Sequence, residues 1–196
     1  MGAALIPAGR ELILGGQKSG KSRRAEQCAA DWLASSRSHR AVLVATAQAH
    51  DDEMRQRILR HRADRAIRVP GMTTIEEPSA LAEAISMHSV ADTLVVVDCL
   101  TLWLTQLLMP YAPDVTKLIA PDDATRSIAA LVDAVRRARG PLVLVGNEIG
   151  LGVIPLGGET RAFVDALGRL NQEVAGACDR VTLMVAGLPL TLKAPA

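Results

Sequence analysis

The chain is expected to fold as an α/β domain whose sheet is mostly parallel and flanked by helices. Three observations lead there. Short β-rich runs alternate with longer helical patterns along the chain. Two of those runs, Thr93-Leu94-Val95-Val96-Val97 and Leu142-Val143-Leu144-Val145, are apolar throughout, as strands covered on both faces are. A Gly-x-x-x-x-Gly-Lys-Ser segment stands between the first strand and the first helical stretch.

The first strand is read at Leu12-Ile13-Leu14, followed by a helix from about Lys21 to Ala34. Ala41 to Ala45 reads as the second strand. After it, Asp51-Asp52-Glu53 supplies the negative charge that favours a helix N-terminus. That helix carries Met54, Ile58 and His61 at i, i+4 and i+7, one face of a 3.6-residue period. The strand at Thr93 to Val97 ends on Asp98, which either holds a metal or caps the helical segment Cys99 to Leu108. Met109 to Asp123 contains Pro110, Pro113 and Pro121 and reads as the main excursion from the sheet. A charged helix then ends near Arg136-Arg137-Ala138-Arg139-Gly140, with basic residues in its last turn and Gly as the stop. The last helix spans roughly Glu159 to Ala177, with Phe163, Leu167, Leu170 and Val174 on one face. Val181 to Val185 and Leu188 to Leu192 read as two strands joined tightly at Ala186-Gly187, which makes one antiparallel pair. The whole, 1–196, reads as a single domain, without internal repeat or low-complexity linker.

Composition narrows the function classes. A net charge of +1 gives no global field to recruit nucleic acid or an anionic membrane. The aromatics are Trp32, Trp103, Tyr111 and Phe163, too few for a base-stacking platform. Cys28, Cys99 and Cys178 are widely spaced and lie in or after apolar runs, so they read as core residues in a reducing cytosol. Met1 to Arg10 lacks a basic stretch followed by a long apolar one, and no run approaches the roughly 20 residues that span a bilayer. The expected location is therefore cytoplasmic, with no membrane insertion and no nucleic-acid partner.

The phosphate cradle is Gly15-Gly16-Gln17-Lys18-Ser19-Gly20-Lys21-Ser22, the P-loop pattern in its required strand–helix context. Glycines let several backbone N–H groups point inward at phosphate oxygens, and the following helix adds its positive end. Lys21 is expected on the β- and γ-phosphates and Ser22 on Mg²⁺, with Asp98 as the acid on the metal side. Asn147 and Glu148 follow another strand and precede the Gly150 to Gly152 region, so their loop is expected beyond the carboxyl ends of the strands, facing the site. Glu148 reads either as a second metal-side or substrate-side carboxylate or as a structural loop residue.

Gly15 to Arg23 also resembles the opening Gly-Gly-x-x-Ser-Gly-Lys-Ser-Arg of one family. It is the bifunctional adenosylcobinamide kinase/adenosylcobinamide-phosphate guanylyltransferase family of cobalamin biosynthesis. The likeness continues through Ala45-Thr46-Ala47, Asp52-Glu53-Met54, Arg57-Ile58, His61-Arg62 and Thr74-Ile75-Glu76-Glu77-Pro78. It goes on through Asp98-Cys99-Leu100-Thr101, Asn147 to Gly152, and a last block of Arg161, Phe163, Asp165, Gly168-Arg169 and Asn171-Gln172. The resemblance implies a P-loop fold with a RecA-like sheet, commonly a homotrimer. It implies phosphorylation of the aminopropanol hydroxyl of adenosylcobinamide with ATP or GTP. GMP then passes from GTP to that phosphate through a histidine-bound intermediate, giving adenosylcobinamide-GDP and pyrophosphate.

By the same resemblance His61 holds the histidine position, Thr46, Ala47 and Gln48 match a nucleotide-contacting segment, and His61, Arg62, Ala63 and Asp64 match another. Glu76 and Asp98 match acidic positions near the guanine nucleotide. An imidazole, with an ordinary pKa of about 6.5, suits nucleophilic attack at neutral pH, and Asp64, one turn later, is a candidate to orient its ring. On the residues alone, His61 shares a helical stripe with Met54 and Ile58, so a core histidine stays open. Two departures stand out. Some members have adjacent histidines where this chain has Arg60-His61, and members often carry Trp where Met72 stands. His50 is the fallback nucleophile, outside the motif. The readings of another class are a non-catalytic P-loop nucleotide sensor and a RecA-like ATPase module, a DNA-handling version of which the near-neutral charge and scarce aromatics disfavour.

Overall fold

The computed structural model describes residues 9–109 and 121–195, with side chains in the second segment from 124 onward. The expected proline-rich excursion and the N-terminal stretch therefore fall mostly outside the described residues. Elements follow in the order β1 (Arg10–Gly15), α1 (Lys21–Ser35), β2 (Arg40–Ala45), α2 (Asp52–Arg68), β3 (Thr73–Glu76), α3 (Leu81–His88) and β4 (Thr93–Asp98). Then come α4 (Leu100–Leu108), α5 (Pro121–Arg137), β5 (Leu142–Val145), α6 (Gly158–Ala177), β6 (Arg180–Val185) and β7 (Leu188–Lys193).

Seven strands form one sheet in the order β3-β2-β4-β5-β1-β6-β7. All neighbours are parallel except β6 and β7, the antiparallel pair expected around Ala186-Gly187. Both turn residues have positive φ, 52° and 80°, the handedness that a two-residue hairpin needs to match strand twist.

Alternation along the central strands divides the core into two layers. Leu12, Leu14, Val95, Val97, Leu142 and Leu144 face a large cluster with α3, α4, α5 and α6, in which Trp103, Leu131, Leu167 and Leu170 are almost wholly buried. Ile13, Leu94, Val96, Val143 and Val145 point the other way, onto Ala25, Cys28, Ala29 and Trp32 of α1. Period-2 side chains on doubly covered strands require this division.

Two elements escape the sequence reading, β3 and α3. β3 is a four-residue edge strand of Thr-Thr-Ile-Glu, mostly exposed, so it carries no apolar run. α3 is only eight residues long, too short for its period to stand out. The three cysteines are free and buried, and burial pushes the Cys28 and Cys178 thiols up to about 12. They are inert core residues.

Register explains why distant motifs meet. Glu76 pairs with Ala45, Ala45 with Asp98, Asp98 with Val145, and Val145 with Ile13. These five positions form one row across the carboxyl end of the sheet. The chain leaving each strand there becomes site: Glu76 itself, Thr46, Asp98, Asn147 and the P-loop.

Candidate active site

The loop Gly15–Gly20 is shaped by close approach as much as by flexibility. A Cβ on Gly15 would lie 2.5 Å from the Met184 carbonyl oxygen, so β6 leaves no room for one. Gly20 has φ 100°, in the region that glycine tolerates, and Lys18 adopts φ 56° despite its side chain. Neighbouring strands brace the loop from both sides: the Glu148 amide donates to the Gly15 carbonyl at 3.1 Å, and the Gly187 amide to the Ser19 carbonyl at 3.1 Å. Helix α1 begins directly at Lys21, so its free amides open on the cradle.

Lys21 is buried, and its ammonium donates to the Gly16 carbonyl at 2.6 Å. Burial pushes its pKa down, and the charge of Arg57 adds to this against the pull of Cys99 and Asp98. Across the cleft, desolvation pushes the Asp98 carboxyl above the ordinary carboxylate range. His61, Ser22, Arg65 and Lys21 pull the other way and do not overcome it. Asp98 is thus a desolvated carboxyl at the end of β4, acted on by several basic side chains. The capping role does not hold: α4 starts at Leu100 with Cys99 as its N-cap.

Helix α2 brings the histidine. Its start is as expected, with Asp51 as N-cap accepting the Met54 amide at 2.7 Å. Its inward side differs from the expectation of a core stripe. Met54 and Ile58 are half-buried, His61 is exposed, and Arg65 is the one buried residue of the helix. Arg57, His61 and Arg65 form a single i, i+4, i+8 row, and the charges of all three act on Lys21 or Asp98. His61 is therefore a cleft residue rather than a core one. Arg65 was missed by sequence reasoning, although its place one turn beyond His61 was the available signal. It is 8% exposed and has no carboxylate within ion-pair distance among the described residues.

The other expected contacts sort by geometry. Arg62 pairs with Glu76, tying α2 to β3. With Arg65, Ala66, Val69, Met72 and Thr74 these line a cavity of about 320 Å³ beside the cleft. Met72 forms part of its wall. Asp64 accepts from Arg68 at 2.9 Å, so its carboxylate is engaged along the helix rather than with the His61 ring. Thr46 is wholly buried; its hydroxyl accepts the Cys99 amide and donates to the Cys99 carbonyl, both at 2.8 Å. It positions the end of β4 and leaves Ala47 and Gln48 as the accessible part of that segment. His50 lies outside α2, ahead of its N-cap. Glu148 accepts the Gly150 amide at 2.7 Å and the Asn171 side-chain amide at 3.4 Å, an organiser of its own loop.

Residues 11–192 match the model of the family described as cobinamide kinase / cobinamide phosphate guanyltransferase. The chain belongs to that family. Among curated relatives it is 47% identical to the bifunctional adenosylcobalamin biosynthesis protein CobP of Pseudomonas aeruginosa, covering 94% of this chain and 97% of that one. It is 35% identical to the bifunctional adenosylcobalamin biosynthesis protein CobU of Escherichia coli, over 93% of this chain and 98% of the relative. Among solved structures, the flagellar accessory protein FlaH of Methanocaldococcus jannaschii superposes with a TM-score of 0.50 at 12% identity, over 97% of this chain and 80% of that one. That likeness concerns the RecA-like P-loop fold alone. Family membership sets aside the sensor and motor readings. Among the described residues, no helix is long and apolar enough to cross a membrane.

Proposed function

We propose that this family member phosphorylates adenosylcobinamide and then guanylylates the product through a GMP–His61 intermediate. The observation that carries the reading is that Arg57, His61 and Arg65 share one row of α2, and their charges reach Lys21 of the P-loop and Asp98.

In the kinase step, P-loop amides and Lys21 hold the β- and γ-phosphates of ATP or GTP while the aminopropanol hydroxyl attacks the γ-phosphorus. The bond to the β–γ bridging oxygen breaks, the nucleoside diphosphate leaves with the electron pair, and the hydroxyl proton passes to solvent. In the guanylyl step, a ring nitrogen of His61 attacks the α-phosphorus of GTP. The bond to the β-phosphate oxygen breaks, and pyrophosphate leaves with the electron pair. The P–N bond is then broken by a phosphate oxygen of adenosylcobinamide phosphate, which returns the lone pair to the ring. Splitting one exchange into two displacements is the gain that a covalent intermediate offers. Arg65, buried and with no carboxylate in ion-pair contact among the described residues, would balance charge growing on the phosphoryl oxygens.

Asp98 and Ser22 fit Mg²⁺. The ion favours one or two carboxylate or hydroxyl ligands, with waters and substrate phosphates filling its octahedron. Asp98 ends β4 and Ser22 lies in the first turn of α1, and the electrostatics of the two are linked. When bound, the ion would neutralise phosphate charge.

The test is incubation with α-labelled GTP. Wild type is expected to retain label that acid releases and base does not, the signature of a phosphoramidate, and His61→Ala to retain none while keeping part of its kinase activity. Full labelling of His61→Ala would overturn the assignment and direct attention to His50.

A further inference from the structure

The cleft described above carries Lys21, Asp98, Arg57, His61 and Arg65, which suits a triphosphate better than the apolar faces of an uncharged corrin ring. The corrinoid needs an apolar surface within reach of its own short arm. The loop that follows β5 has that character. Between Glu148 and Glu159 the chain is Ile-Gly-Leu-Gly-Val-Ile-Pro-Leu-Gly-Gly, ten residues without a charge or a polar side chain. Its apolar side chains turn outward: Leu151 is 81% exposed, Val153 97%, Ile154 76% and Leu156 97%. Contiguous exposed apolar surface on a protein marks a place where something binds, and small-molecule sites are built mostly from such side chains.

We propose that this loop is the platform for the corrin ring. The inference rests on the two-step reading above and adds where its acceptor sits. Position supports it. The root of the loop is joined to the phosphate cradle by the Glu148 amide on the Gly15 carbonyl at 3.1 Å, so a ring resting on the loop keeps its arm at the P-loop. The far end is held too: Arg161 of α6 donates to the carbonyls of Pro155, at 3.0 Å, and Leu156. A loop fixed at both ends presents its apolar tip as a formed surface, which lowers the ordering cost of binding. A second exposed apolar row, Leu188, Leu190 and Leu192 of β7, also starts beside the cradle, next to Gly187, but its later members leave it. It runs antiparallel to β6, back down the sheet edge and away from the phosphate end.

The experiment is equilibrium dialysis against adenosylcobinamide phosphate, read through corrin absorption. The proteins are wild type, the double variant Val153→Ser with Leu156→Ser, and the control Leu190→Ser with Leu192→Ser. The loop variant is expected to bind about tenfold more weakly or worse, with normal GTP labelling, an unchanged thermal midpoint and an unchanged sedimentation coefficient, while the control binds as wild type does. Unchanged binding by the loop variant, or an equal loss in the control, would overturn the proposal. So would a fall in sedimentation coefficient alongside the loss, which would identify a second copy of the chain as the occupant. Failure of wild type to take label from GTP would defeat the histidine intermediate and leave this binding comparison intact.

Discussion

Helices α1 and α2 are neighbours of similar length held by different physics. α1 packs Ala25, Cys28, Ala29 and Trp32 into the core beneath the sheet. α2 buries Arg65 alone, while its apolar Leu59 and Ile67 face outward at 56% and 82% exposure. Ion pairs fasten α2 instead, Arg68 to Glu26 on α1 and Arg62 to Glu76 on β3. The difference follows from the two tasks. A phosphate grip works by preorganised amides, so the helix behind it must not shift. A nucleophile that receives GMP from one substrate and hands it to another must remain accessible, so its helix cannot be sealed by packing.

Substitutions can break that contrast in measurable ways. The largest effect is expected from the grip: Lys21→Ala should lower both the kinase and the guanylyl rates by about 100- to 1,000-fold, the cost of removing a major charge-stabilising group. Steady-state assays of each half-reaction check this. On α2 the loss should be selective. Arg65→Ala should slow guanylyl transfer roughly 100-fold and leave the kinase rate much closer to wild type. Equal losses in both reactions would return Arg65 to a structural role.

Stability should divide the helices along the same line. Trp32 is 9% exposed and donates its indole N–H to the Arg40 carbonyl at 3.0 Å, so Trp32→Ala should cost about 3–5 kcal/mol in denaturant unfolding. Ile67→Ala, on the outer side of α2, should change stability by no more than about 0.5 kcal/mol. An effect of the opposite sign is expected at Asp98, where function opposes stability. Its folded-state carboxyl is raised, so the native chain holds that proton more tightly than the unfolded one, and stability is lost as pH rises through the folded value. Asp98→Asn removes that loss. Its nucleotide-free melting point should exceed that of wild type by a few degrees at neutral pH, with the advantage shrinking as pH falls toward the ordinary aspartate value of about 3.9. The same variant should fail in Mg²⁺-supported triphosphate use.

Much was legible without coordinates because the patterns were local. The P-loop is a contiguous motif, and Leu12 to Leu14, Thr93 to Val97 and Leu142 to Val145 are continuous apolar runs. Asp51 ahead of a helix and Ala186-Gly187 between two strands signal their own structure, because caps and tight turns depend on the residues within them. β3 and α3 did not, since a short exposed edge strand and an eight-residue helix carry too few residues for a period to show.

Side-chain direction separates the remaining cases. The sequence alone determined which residues carry chemistry and on which elements they lie, for periodicity and motif spacing are properties of neighbouring residues. It left His61 between core and cleft, and left open whether Asp98 caps the helix that follows it. Tertiary structure decided these. Sheet register sets Glu76, Ala45, Asp98, Val145 and Ile13 in one row, and the packing of α2 against α1 turns His61 and Arg65 toward that row. Both depend on contacts between segments far apart in the chain, and no local pattern encodes those.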